Sequence, residues 1–188
     1  HGIIAYSSNY TLYADMSNRV MSILAVFSPN QEIYSIDECF LDLTGFKRRS
    51  HADYGQQIRQ RVKQWTGLPV CVGIGSTKTL AKLANHIAKK NPEFNGVCDL
   101  NAMSPQQQDE WFRKIDVGEI WGIGRRLAPK LHEISIKTVL DLKTASPSQL
   151  RARFSVVMEK TIREINGTAC IELEEINPPK KQIVSSRS

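Results

Sequence analysis

The chain has 188 residues, enough for one large or two small domains with real cores, and its 41% hydrophobic and 23% charged content is that of an ordinary globular protein. No apolar run approaches a membrane span and no signal-peptide pattern opens the sequence, so the expected setting is cytoplasmic. The net charge of +6 favours a polyanionic partner.

Cys39, Cys71, Cys98 and Cys170 lie far apart, and neither they nor the four histidines show metal-ligand spacing. They read as reduced core cysteines, which argues against a zinc site or a disulfide framework.

Taken in chain order, Gly2 to Tyr6 is a short apolar run that reads as a strand. Ser7, Ser8 and Asn9 offer N-caps for a helix from residue 9 to about 27, with apolar positions Leu12, Met16, Val20, Ile23 and Leu24. Tyr10, Tyr13 and Arg19 fall elsewhere on it, as ordinary amphipathic surface or as contacts to a ligand. Pro29 and Asn30 break the helix.

The stretch that follows, Glu32 to Leu43 (EIYSIDECFLDL), organises the rest of the chain. Ile33, Ser35 and Asp37 alternate with Tyr34, Ile36 and Glu38, the period of a strand, and Cys39 to Leu43 is a second run of strand formers. Asp37 and Glu38 are thus adjacent acids between two apolar strands. At the bend of a tight hairpin, two neighbouring carboxylates can face one side. Hard oxygen ligands of that kind suit Mg²⁺, which takes one or two carboxylates plus substrate phosphates. The plainer alternative is a turn carrying two solvated acids.

Residues 53 to 65 read as a surface helix with Arg59, Arg61 and Lys63, stopped by Gly67 and Pro69. Pro69 to Gly75 is a strand, and Ser76 or Thr77 caps a helix running to about Lys90. On that helix Leu80, Leu83, Ala84 and Ile87 share one face, while Lys78, Lys82, His86 and Lys89 share the other. The charged face is either solvated surface or a row of lysines following phosphates, since point charges neutralise phosphate without reading sequence. The segment GIGSTKT resembles a phosphate-binding loop, but Thr77 stands where the second glycine is needed, so an NTPase is rejected.

Val97 to Leu100 reads as a last strand closing a mixed α/β domain. Ser104 and Pro105 open a new helix, and strand signals then cease, which places a domain boundary near residue 101. In VGEIWGIGRRLAPKL a helix, a turn at Gly122 to Gly124 and a second helix fit a helix-hairpin-helix unit. Its glycines would let the backbone approach a phosphate at the next helix N-terminus. Arg125 and Arg126, set against the helix dipole, hint at an anion there. A purely structural turn between helices would use glycine too. Residues 137 to 166 continue as short helices, and the Pro- and Lys-rich stretch from Asn177 reads as extended.

The string SIDECFLDLTG is similar to the second catalytic motif of the Y-family (translesion) DNA polymerases, S-I-D-E-A-[FY]-L-D, with Cys39 in place of the usual Ala. The match continues through VGIGSTKTLAKLANHIAKK and VGEIWGIGRRLAPKLHEISIKTVLDL, and the branch it most resembles is the bacterial UmuC/MucB/ImpB type of SOS mutagenesis. The resemblance implies an α/β (α+β) palm with a mixed sheet and packed helices over residues 1–101. A small all-α helix-hairpin-helix thumb would occupy 102–170, and 171–188 would be a linker toward a little-finger domain. It also implies error-prone, template-directed synthesis by two-metal nucleotidyl transfer. Asp37 would bridge two Mg²⁺ ions, and Glu38 would bind mainly the ion at the primer end. Lys89 would contact the triphosphate. Lys78, Lys82, Gly122, Gly124, Arg125 and Arg126 would contact DNA.

Primer-template DNA and dNTP are the implied substrates. A UmuD-like subunit, RecA and the sliding clamp are the implied partners, and the implied location is nucleoid-associated. The family pattern also calls for a strand bearing a first metal-binding Asp, fingers with a Tyr/Arg pair, and a little finger. None of these is matched in the chain, which is therefore expected to be a fragment with little activity alone. Asp15, within a helical pattern, is no substitute for that Asp. The competing reading is a non-catalytic DNA-binding remnant or module.

Overall fold

A computed structural model describes residues 2–4, 6–46 and 50–174. Two compact units emerge, one being Thr44–Glu172 and the other the described residues before and after it.

In the first unit, α1 (Tyr10–Leu24) starts at Asn9, whose side chain accepts the Leu12 amide at 3.0 Å. Only Met21 and Ile23 of the helix are buried, and Tyr10, Leu12 and Tyr13 are exposed. Asp15 lies on α1 in an ion pair with Arg19 at 2.8 Å. Among the described residues of Gly2–Tyr6 the expected strand is not formed. Ile3, Ile4 and Tyr6 are exposed, and among the described residues no strand pairs with this run. A strand needs a partner ladder as well as β-forming residues.

β1 (Gln31–Ile33) and β2 (Cys39–Leu41) pair antiparallel, with Gln31 opposite Leu41 and Ile33 opposite Cys39. The open end of the hairpin is closed by the Ser28 hydroxyl, which donates to the Asp42 carbonyl at 2.6 Å. Glu32 is buried and accepts the Glu174 amide at 2.7 Å.

In the second unit, α2 (His51–Thr66) is capped by Ser50 and stopped at Gly67, which takes the left-handed conformation that glycine adopts without steric cost (φ 76°). It is less of a surface helix than its composition implies, because Gly55, Ile58 and Val62 are buried. Arg59 serves the fold, donating to the Val70 carbonyl at 2.7 Å and to the Asn95 carbonyl.

β3 (Val72–Ile74) runs parallel to β4 (Val97–Asp99), joined by α3 (Lys78–Lys90), which Thr77 caps. Among the described residues the strands form two small two-stranded sheets, one in each unit, within a mixed α/β fold. Gly55 of α2 faces Val72 and Val97. Gly73 and Gly75 instead meet the backbone of α3: a Cβ on Gly73 would lie 2.1 Å from the Asn85 amide nitrogen and 2.2 Å from the Ala81 carbonyl oxygen. Successive strand residues face opposite ways, so the two helices cover opposite faces of this pair of strands. The glycines of GIGSTKT are needed for strand–helix contact, in accord with the rejection of a phosphate loop.

From there the unit is helical: α4 (Pro105–Phe112), α5 (Ala128–His132), α6 (Val139–Thr144), α7 (Pro147–Arg153) and α8 (Val156–Ile165). One apolar core runs from Leu83 and Ile87 of α3 through Phe112 and Leu142 to Ile162 and Ile165 of α8. Glu164, fully buried, joins the end of α8 to the start of α3. Its carboxylate accepts the amides of Thr79 (3.1 Å), Cys170 (2.6 Å) and Ile171 (3.1 Å), and its carbonyl accepts the Thr77 hydroxyl. A buried carboxylate is tolerable on those terms because its lone pairs are filled by hydrogen bonds.

Two further carboxylates tie stability to pH. Arg163 and Arg151 bond Glu159 at 2.7 and 2.9 Å and hold its carboxyl below the usual range, outweighing the upward effect of its partial burial. Burial also works upward on Asp141, but the Thr138 and Lys137 amides and the Thr138 hydroxyl more than offset it, and its net displacement is downward. A carboxyl group whose folded value is lowered adds stability above its unfolded value, near 4, and loses it as the pH falls through the folded value. The melting temperature should therefore hold between about pH 6 and 5 and decline below about pH 4. Glu159→Gln should shrink that decline in circular-dichroism melts.

Candidate functional site

The hairpin tip holds Asp37 and Glu38. The amides of Tyr34 and Ser35 both donate to the Glu38 carbonyl, at 3.1 and 3.0 Å, so two residues of one arm oppose one of the other. That is a β-bulge, a device that ends pairing and re-aims side chains. It also corrects the strand expected to run on to Glu38. The ladder stops at Ile33, and Ile36 and Asp37 form the tip. The Ser35 hydroxyl donates to Asp37 Oδ1 at 2.7 Å, and the Asp37 amide closes the turn onto the same hydroxyl at 3.4 Å. Asp37 is exposed and Glu38 half-buried. The tip thus presents adjacent carboxylates, one of them steadied by a hydroxyl. Among the described residues no group of three or more His, Cys, Asp or Glu is placed to hold a metal, so the pair would supply part of a donor set.

The charged face of α3 is only partly open to solvent. Lys78 is 9% exposed and donates to the Glu172 carbonyl at 2.7 Å. Lys82 lies 5.4 Å from the Trp121 ring, and His86 sits 3.4 Å from Glu119. The loop before the Gly122–Gly124 turn and the segment after α8 cover this side of the helix. Lys89 and Lys90, in the last turn, are exposed.

The Gly122–Gly124 turn follows one 3-10 turn, Val117–Glu119, and precedes the five-residue α5. So short a helix carries little dipole, and its first amides are already engaged: Leu127 and Ala128 both donate to the Gly124 carbonyl, at 2.9 and 3.1 Å. The expectation of free helix N–H groups is corrected accordingly. The glycines remain informative. Gly122 has φ 87°, which favours glycine. Gly124 lies outside the left-handed region, and a Cβ on it would meet nothing within 4 Å, so neither conformation nor packing requires glycine there. An exposed backbone with space above it, flanked by exposed Arg125 and Arg126, is open to close approach by a ligand.

The sequence reading missed the groove beside this turn. It measures about 370 Å³ and is lined by Gly122, Lys130, Glu133, Arg153 and Ser155 among others. It also missed the pairing of Arg151 and Arg163 on Glu159, of which only the Glu159–Arg163 spacing of one helical turn was visible in the chain.

The model of the impB/mucB/samB family matches residues 1–86. Protein UmuC of Salmonella typhimurium is 51% identical over the whole chain, and Protein SamB of the same species is 48% identical over 99% of it. The chain spans 44% of the length of each. A DNA polymerase IV of Clostridium acetobutylicum is 30% identical over 81% of the chain. Among solved structures, a DinB family error-prone DNA polymerase from Sulfolobus solfataricus matches with a TM-score of 0.73 at 25% identity. That match covers 92% of this chain and 51% of the other. An insertion ternary complex of Dbh DNA polymerase matches at 0.72, also at 25% identity, over 91% and 49%.

Proposed function

We propose that this chain, which belongs to the impB/mucB/samB family, is the palm and thumb part of a template-directed DNA polymerase of the error-prone, translesion type. The observation that carries the reading is the bulged hairpin tip, where Asp37 and Glu38 stand side by side. Residues 1–101 would be palm, 102–170 thumb and 171–188 a linker, most of the last lying outside the described residues.

Two adjacent carboxylates are the hard-oxygen donors that Mg²⁺ takes, and Asp37 and Glu38 would hold it together with substrate phosphates. When bound, a divalent pair lowers the pKa of the attacking hydroxyl and neutralises charge on the triphosphate. The chain's own part is positional. Ser35 fixes the Asp37 carboxylate, so that little reorganisation remains at the moment of reaction. Lys89, exposed at the end of α3, would offset triphosphate charge. Lys78 and Lys82 are engaged within the fold, which leaves phosphate contact mainly to Lys89 and to the turn. Gly122 and Gly124 would admit a DNA phosphate to the backbone, with Arg125 and Arg126 alongside. Contacts of this kind position a duplex without reading its bases. A UmuD-like subunit, RecA and the sliding clamp would join the whole protein in the SOS response and DNA repair. Among the described residues no helix is long and apolar enough to cross a membrane.

Mg²⁺-dependent primer extension by the whole protein that carries this chain tests the reading. Absent extension with intact duplex binding would leave the DNA-binding module alone standing. For the turn, Gly124→Val and Arg125→Ala should each weaken duplex affinity about three- to tenfold, equally across sequences. Fluorescence anisotropy on several duplexes measures this, and a base-specific loss would contradict phosphate contact.

A further inference from the structure

Trp65, in the last turn of α2, is 60% exposed, a rare fate for the largest apolar side chain. The Arg61 guanidinium lies 4.8 Å from its ring centroid, one helical turn earlier, and so occupies one face of the ring. The surroundings are polar and basic: Gln60, Arg61, Lys63 and Gln64 are all exposed, and Leu68 is the one large apolar neighbour in the adjoining sequence, at 39% exposure. After Asp53, α2 carries Arg59, Arg61 and Lys63 and no acid. Arg59 is engaged within the fold, whereas Arg61 lies over the ring and Lys63, two residues before Trp65 on the helix, is exposed.

We infer that the Arg61–Trp65 pair is a stacking platform for a base of single-stranded nucleic acid, separate in sequence from the Gly122–Gly124 turn. Two features favour this occupant over an acidic protein. A protein interface places its aromatic anchor inside an apolar core ringed by polar residues, and one Leu is too little apolar surface for such a core. A base needs only one open aromatic face, and the neighbouring cations serve the flanking phosphates. Holding the ring with Arg61 also lowers the entropy that stacking would otherwise cost. The inference does not depend on catalysis at Asp37.

The test is anisotropy of a labelled oligo-dT of about 12 nucleotides, measured with the whole protein at low salt beside a blunt duplex. Trp65→Ala should weaken oligo-dT binding about five- to tenfold, Trp65→Phe should retain most of it, and Arg61→Ala should cost about threefold. Duplex affinity should stay within about twofold in all three, because phosphate contacts at the turn are untouched. Both side chains are exposed, so the variants should fold, and an unchanged melting temperature verifies that. Oligo-dT affinity indifferent to Trp65→Ala overturns the inference. So does Trp65-dependent binding of a Glu-rich peptide bearing one Phe when oligo-dT shows no such dependence, since the face would then serve an acidic protein.

Discussion

Exchange of Asp37 for Asn is expected to cut Mg²⁺-dependent primer extension by about a hundred- to a thousandfold, equivalent to about 3–4 kcal/mol of transition-state stabilisation. Affinity for primer-template should stay within about twofold, because on the proposed reading phosphate contacts away from the hairpin tip would supply it. The substitution keeps the size and one oxygen of the side chain, so the Ser35 hydroxyl retains an acceptor and the turn should survive. What is removed is the negative charge that a divalent cation requires. Single-turnover extension measured beside equilibrium DNA binding separates the outcomes. Joint loss of both would mean that the turn collapsed, and unchanged extension would remove Asp37 from the chemistry. Ser35→Ala should give a smaller loss, since it frees the carboxylate without discharging it.

The second large effect is on stability. Gly73→Ala adds a single methyl group, which would lie 2.1 Å from the backbone nitrogen of Asn85 and 2.2 Å from the carbonyl oxygen of Ala81. No rotamer relieves a clash with backbone, so α3 must move away from β3 by more than an ångström. Overpacking on that scale should cost about 3 kcal/mol, a drop of about 10 °C in melting temperature. Gly124→Ala is the control, because its Cβ would enter open space. Thermal melts of both variants check the pair. Equal losses would mean that glycine at 73 serves something other than close packing.

Helix caps and stops were legible because they are local. Asn9, Thr77 and Ser104 cap the helices they were expected to open, and Gly67 ends its helix, whereas the Ser50 cap of α2 was not read because that helix was expected only from residue 53. Each bond involved spans two to four residues, which is the range over which sequence spacing dictates geometry. The adjacent acids at a hairpin bend were visible for the same reason. The bulge was not, because Ile33 to Glu38 alternates as a continuous strand would, and only pairing with β2 shows that Tyr34 and Ser35 share one acceptor.

Longer-range matters belonged to the tertiary structure. Periodicity distinguishes the two faces of α3 but not what covers the polar one, so Lys78 looked solvated although it bonds to Glu172, 94 residues away. Nothing near Glu164 in the chain indicates that its carboxylate will collect the amides of Thr79, Cys170 and Ile171. The glycines of GIGSTKT and those of the Gly122–Gly124 turn are the same residue type in similar strings. In the first a side chain would strike α3, and above Gly124 the space is open. By itself the sequence determined the main helices, most of their caps and stops, and the acidic pair at a hairpin bend. Which charges remain available to a ligand was decided by folding, because availability depends on neighbours that the chain supplies from far away.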